Sequence, residues 1–264
     1  MSLVPIDWTQ IRGGLDRGAN RVAALLRTAP DRDAPVKGLD WTVADLGAHL
    51  VNVTERFERF GRGESQPLDD VAKTNAEEIS TVTERDPALQ AGLFLDGHAR
   101  YMALAKQHEG TDDYVWFDSK MTWAEAAGIY FGELCVHAVD LARTQGQKAP
   151  IAKEDALNVA YGITAILPDF VDKEKAVGFD GTFKLALRGG TPLLLTFTNG
   201  VMSVGRARRE GDSADCTISA DPEAFLLVGY GRSSRWGPIL RGKLFASGRK
   251  PWLGLKFNSL LVKP

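Results

Sequence analysis

One segment constrains the fold more than any other. Residues 122–144, TWAEAAGIYFGELCVHAVDLART, are nearly all apolar, yet they carry Glu133, His137 and Asp140. Thr122 followed three residues later by Glu125 is a capping box, in which each side chain satisfies a free backbone N–H at a helix start. A helix that is apolar around most of its circumference has to be enclosed by other elements. The chain must therefore supply further helices, and its first half does so.

Residues 7–28 place Ile11, Leu15, Ala19, Val22, Leu25 and Leu26 at spacings of three and four. The loop PDRDAPVKGLD ends that helix. A second begins at Thr42, where Thr42 and Asp45 approximate another capping box, and runs to about Arg62. A third covers roughly 69–84, and Pro87 opens a fourth, its missing N–H costing nothing in a first turn. After a loop around Tyr114–Ser119, the capped helix runs to about Gly146. The pattern predicts an all-α four-helix bundle with an N-terminal addition.

Composition shifts at GQKAPIA, 146–152, the expected linker, which gives domains 1–149 and 150–264. One more helix, about 153–167, ends at Pro168. Period-two alternation then takes over in FKLALRG, PLLLTFTNG, MSVGRA and CTISAD, separated by GGT, NG and EGDSAD turns. Asn199-Gly200 is a strong hairpin signal. Helical stretches are expected at 222–229 and 251–261. The second half thus reads as an α+β domain with an antiparallel sheet, and the whole as multidomain.

Overall charge names no partner. The net charge of −2 gives no reason to expect nucleic acid or a membrane. Residues 1–149 carry 16 Lys/Arg against 23 Asp/Glu, and residues 150–264 carry 16 against 11, so the two halves have opposite signs. Cys135 and Cys216 form no disulfide framework, so a reducing cytoplasm is expected. The start, MSLVPIDWTQ, shows no basic or apolar leader pattern, and no secretory signal is expected from it.

Glu133, His137 and Asp140 stand at i, i+4 and i+7, one face of one helix. Asp45, His49 and Asn52 share a face of the second helix in the same way. If the two helices are neighbours, His49 meets the Glu133–His137 pair. Three ligands of type His, Glu and His leave open coordination positions, as a catalytic metal site requires. Asp140 or Asp45 can then hold the far N–H of a ligating imidazole. The same spacing also fits hydrogen-bonded core histidines, since E-x-x-x-H pairs arise by chance, and spacing alone does not separate the two readings.

The stretches W-T-V-A-D-L-G-A-H-L at 41–50 and G-E-L-C-V-H-A-V-D-L-A at 132–142 resemble the DinB-like metalloproteins, and within them the mycothiol-dependent maleylpyruvate isomerase group. The second half is similar to the sterol-carrier-protein-like fold, in A-D-C-T-I-S-A-D-P-E-A-F and L-R-G-K-L-F-A-S-G. The resemblance implies that His49, Glu133 and His137 are the ligands of a divalent metal, usually zinc. It further implies mycothiol as the low-molecular-weight thiol cosubstrate and a small-molecule electrophile as substrate, in an isomerase or an S-transferase. It also implies an active-site arginine from the C-terminal domain, with Arg249 the first choice over Arg241 and Arg232. The alternative is a lipid-binding or scaffold protein, in which Leu193, Leu195, Phe197, Phe225, Leu226 and Phe257 line a tunnel rather than pack a core.

Overall fold

The computed structural model describes residues 5–67, 71–207 and 213–262. The sequence readings at residues 1–4, at the start of the third helix (69–70) and in the first half of the EGDSAD turn (210–212) lie outside the described residues. The chain forms two compact units, Ile6–Ile151 and a second beginning at Ala152.

The first unit contains α1 (Trp8–Arg27), α2 (Val43–Gly61), α3 (Val71–Thr81), α4 (Pro87–Ala105), β1 (Asp113–Trp116), β2 (Ser119–Thr122) and α5 (Trp123–Thr144). Both capping boxes form as the residues dictate, Thr42 with Asp45 on α2 and Thr122 with Glu125 on α5. Pro87 sits in the first turn of α4 behind the Asp86 N-cap. The four bundle helices are α1, α2, α4 and α5, with α1 packed on α4 and α5, and α2 on α4. The expected N-terminal addition is therefore corrected: α1 belongs to the bundle, and the short α3 is the added element, lying against α2. The physical reason is the apolar stripe of α1, whose Ile11, Leu15, Ala19 and Val22 are fully buried. α5 is enclosed as its composition requires, from Trp123 to Ala142.

Where α2 meets α4, the backbones approach closely. A Cβ at Gly47 would stand 1.9 Å from Gln90 Oε1. Gln90 is itself buried and donates to the carbonyls of Ala44 at 2.9 Å and Glu84 at 2.8 Å, stitching the two helices.

The loop expected at Tyr114–Ser119 is a correction as well, because β1 and β2 pair as a two-stranded hairpin. Its turn places Phe117 at φ 53, where a glycine is usual, and that residue choice hides the hairpin in the sequence. The conformation costs about 1–2 kcal/mol for a residue with a Cβ. Burial of the ring against Phe60 (centroids 5.2 Å apart) and Trp116 (5.0 Å) returns about 1.5–3 kcal/mol, enough to hold it.

The second unit runs α6 (Lys153–Ile166), a 3-10 turn (Leu167–Phe170), β3 (Gly181–Leu187), β4 (Leu193–Thr198), β5 (Val201–Arg206), β6 (Cys216–Ala220), α7 (Pro222–Gly229), α8 (Trp236–Leu240), β7 (Leu244–Ser247), α9 (Leu253–Lys256) and a closing 3-10 turn (Phe257–Leu260). The sheet order is β5-β4-β3-β6-β7. Asn199 and Gly200 both adopt positive φ, 49° and 81°, in the tight turn joining β4 to β5.

The sheet is mixed rather than wholly antiparallel, since β3 and β6 run parallel. Alternation in a sequence reports which face of a strand is buried, not the direction of its neighbour. The strand β7 and helix α8 are elements the sequence reading did not place. Leu193, Leu195, Phe197, Leu226 and Phe257 are buried in the core of this unit, with Phe257 packed on Phe183 at 5.0 Å.

Candidate metal centre

Two helices bring the site together. α2 presents His49, Asn52 and Arg56 along one face, and α5 presents Glu133, His137 and Asp140. α2 and α5 are in contact, so the two faces meet. His49 Nε2 lies 3.3 Å from Glu133 Oε2, and His137 Nε2 lies 3.2 Å from the same oxygen. The three ligand atoms all fall within 4.8 Å of one another. Both imidazoles are buried, while the Glu133 side chain keeps 23 % of its surface open, which marks the side from which the site is reached.

The geometry can be compared with what a small divalent ion needs. Ligands held at about 2.0–2.1 Å in a tetrahedron stand about 3.3 Å apart along each edge. Both His–Glu separations are of that size.

The tautomers point the same way. Asp140, fully buried, holds His137 Nδ1 at 3.1 Å, which requires the proton on that nitrogen. In a neutral ring, Nε2 then carries a lone pair that faces a carboxylate oxygen 3.2 Å away. Two acceptors at that distance need a proton or a cation between them.

The charges are strongly coupled. Burial would raise the Glu133 carboxyl, but hydrogen bonds from His137 and His49 hold it well below the usual carboxylate range. Burial lowers the His49 imidazole, aided by the positive charges of His137 and Arg56 and opposed by Glu133. His137 is also penalised by burial, yet Asp140 and Glu133 bring it above its ordinary value.

Asp45 takes another part than the one the spacing offered. Its carboxylate accepts from the Thr42 backbone at 2.9 Å and from Arg85 at 2.5 Å, so it caps α2. His49 Nδ1, which it was expected to hold, is buried and has no hydrogen-bond partner among the described residues. Arg249 lies in the second unit, its side chain 73 % exposed and its guanidinium bonded to Asp215 at 2.9 Å. Arg241 is exposed, and Arg232 donates to the Tyr230 carbonyl at 2.7 Å.

Two residues at the site escaped the sequence reading. Trp41 stands with its ring 4.9 Å from that of His49 and 6.3 Å from that of His137. It is placed by a short ladder in which Val36 N–H donates to the Trp41 carbonyl at 2.9 Å and Pro35 bridges Thr42. Its position just ahead of the N-cap Thr42 was the available signal. Arg56 is buried, bonded to Asn75 at 2.8 Å and to Glu78, and so ties α3 to α2. Its register with His49 and Asn52 was likewise readable.

The other histidines serve the packing. His98 lies between Tyr130 Oη at 3.0 Å and Asp16 at 3.1 Å, and His108 stacks on Trp123 at 4.5 Å.

Comparison with known proteins now has a geometry to attach to. Residues 12–142 match the mycothiol maleylpyruvate isomerase N-terminal domain, and residues 164–261 match the SCP-2 sterol transfer family. The solved structure of a mycothiol-dependent maleylpyruvate isomerase is similar at 16 % identity with a TM-score of 0.58, covering 92 % of this chain and 93 % of that one. A histidine-to-alanine mutant of such an isomerase gives the same figures, 16 % and 0.58. At that identity the likeness speaks for the fold. No curated protein matches the sequence. With both domains present and in this order, the chain belongs to the mycothiol-dependent maleylpyruvate isomerase-like family.

Proposed function

We propose that this chain is a thiol-dependent metalloenzyme, in which His49, Glu133 and His137 hold a divalent ion, zinc by the chemistry of the donor set. The observation that carries the proposal is the convergence of both imidazoles on one oxygen of Glu133, at 3.3 and 3.2 Å. When bound, such an ion supplies a Lewis acid that lowers the pKa of a thiol, so that thiolate is present at neutral pH. The family points to mycothiol as the thiol and to cis–trans isomerisation of an unsaturated acid such as maleylpyruvate as the reaction.

The chain's own residues contribute position and dryness. Asp140 fixes His137 in the tautomer whose Nε2 is free to ligate. Glu133 supplies the anionic ligand that offsets the charge of a buried ion. Trp41 covers both imidazoles with an apolar face. Isomerisation needs the thiol to add to one alkene carbon, rotation about the resulting single bond, and departure of the same thiol. An S-transferase would stop at the adduct. We further propose Arg249 as the anchor for a substrate carboxylate, and a reducing cytoplasm as the setting, in keeping with Cys135 and Cys216 standing outside any disulfide.

Metal analysis of the purified protein tests the premise. One ion per chain is expected, lost in His49→Ala together with mycothiol-dependent isomerisation of maleylpyruvate. A wild-type protein that takes up no divalent metal, or an ion retained at full stoichiometry in His49→Ala, would sink the proposal. Consumption of mycothiol without return would convert the isomerase into a transferase.

A further inference from the structure

The second unit turns apolar surface outward around its edge strand. On α8, Trp236 is 57 % and Leu240 85 % exposed, on β7 Phe245 is 52 % exposed, and at α9 Trp252 is 62 % and Leu255 55 % exposed. α8 and α9 both pack against β7, so the five side chains share one neighbourhood. β7 nonetheless stays open to solvent, with Phe245, Ala246 and Ser247 all exposed, whereas β3 and β6 alternate regularly. It pairs with β6 on one side, and among the described residues no strand pairs with the other.

The charge in the same stretch is one-sided. Residues 231–256 contain four arginines and three lysines, and no aspartate or glutamate. Asp215 engages two of them, Arg249 at 2.9 Å and Lys250 at 3.2 Å. Among the described residues Arg235, Arg241 and Lys243 form no ion pair, and the first two are exposed. The overall charge of −2 conceals this concentration.

An ordinary role accounts for part of it, because cations beside an edge strand keep other strands from adding to it. That role has no use for two exposed tryptophans, two leucines and a phenylalanine. Three occupants can be weighed. A second copy joined about a two-fold axis would set this cationic stretch against itself. A nucleic acid backbone would match the cations, but aliphatic Leu240 and Leu255 offer it neither charge nor a stacking plane. A bilayer with anionic headgroups matches both components, since its interfacial zone accepts Trp, Phe and Leu while its phosphates attract Lys and Arg.

We propose that the α8–β7–α9 face docks reversibly on a bilayer surface carrying anionic headgroups. The contact is peripheral, as no helix among the described residues is long and apolar enough to cross a membrane.

The test is co-sedimentation of the full chain with vesicles of phosphatidylcholine, alone or mixed with phosphatidylglycerol. Partition into the anionic vesicles is expected to be at least about ten-fold stronger and to weaken as salt is added. Arg241→Glu with Lys243→Glu should weaken it by at least about 25-fold, each cation near a membrane surface counting for about five-fold. Trp236→Ala with Leu240→Ala should also weaken it, with the melting temperature unchanged. Wild-type protein that stays in the supernatant, or that pellets equally with both vesicles, overturns the proposal. So do folded variants that pellet like wild type. Binding of single-stranded DNA in place of vesicles, or a dimer that the same variants abolish, would assign the face to that occupant and overturn it too.

Discussion

Among the described residues, the helical unit buries nine polar or charged side chains, His49, Arg56, Gln90, His137 and Asp140 among them, whereas the second unit buries Asn158 and Thr164. Large exposed apolar residues among the described ones are distributed the other way: Leu89 and Leu93 in the helical unit, eight residues in the second. Both patterns cost free energy. The desolvation of a buried polar group has to be offset by its hydrogen bonds, and an exposed tryptophan forgoes its burial. The comparison teaches that the two units spend stability in opposite places, one on an enclosed polar site and one on a surface. The enclosed unit should therefore tolerate little change in volume or partnership, and the other much more.

The largest expected effect probes that difference directly. Gly47→Ala would drive a methyl into Gln90 Oε1, 1.9 Å from the Cβ position, between two helices already bonded through that amide. Chemical denaturation should show a loss of about 3 kcal/mol. Gly229→Ala, at the end of α7, has nothing within 4 Å of its Cβ and should stay within about 0.5 kcal/mol of wild type. Equal losses at both positions would erase the contrast.

Next comes the buried carboxylate behind His137. Asp140→Asn leaves the volume unchanged but removes the anion that holds the Nδ1 proton. Titration with a divalent metal should show about 10- to 100-fold weaker binding. Unaltered affinity would mean that Asp140 serves packing alone.

The smallest effect is set by pH. Burial lowers the His98 imidazole below its ordinary value, partly opposed by Asp16. The folded state therefore prefers the neutral ring. The stability it contributes is fully present above the unfolded pKa of about 6.5 and is lost as pH falls through the lowered folded value. Denaturation midpoints of wild type should thus fall more steeply on acidification than those of His98→Gln. Parallel curves would exclude His98 as a source of acid sensitivity.

Much of the fold was legible because local chemistry agreed with it. Thr42 with Asp45 and Thr122 with Glu125 announced the starts of the two helices that carry the site, and both boxes close. Asn199-Gly200 announced its hairpin through two positive φ angles that few other pairs accept. The misses have equally local causes. Phe117 holds a turn conformation by burial rather than by residue type, so no propensity revealed it. The parallel pairing of β3 with β6 is long-range, and the exposed β7 has no alternation to show. At the candidate site, i+4 and i+7 spacing put Glu133, His137 and Asp140 on one face, because one helix carries all three. It misassigned Asp45, whose spacing fitted equally well but whose carboxylate the N-cap and Arg85 had already claimed. Trp41 was passed over because it precedes its helix, and only the fold of residues 32–44 turns it back over the imidazoles.

That last placement has a practical consequence. An indole whose ring lies 4.9 Å from one imidazole and 6.3 Å from the other is a fluorophore installed beside both. Anything that settles between His49 and His137 changes the surroundings of its excited state. The difference in emission between wild type and Trp41→Phe isolates that one ring from the other five tryptophans, so occupancy could be followed by light, without a label and without knowing the substrate.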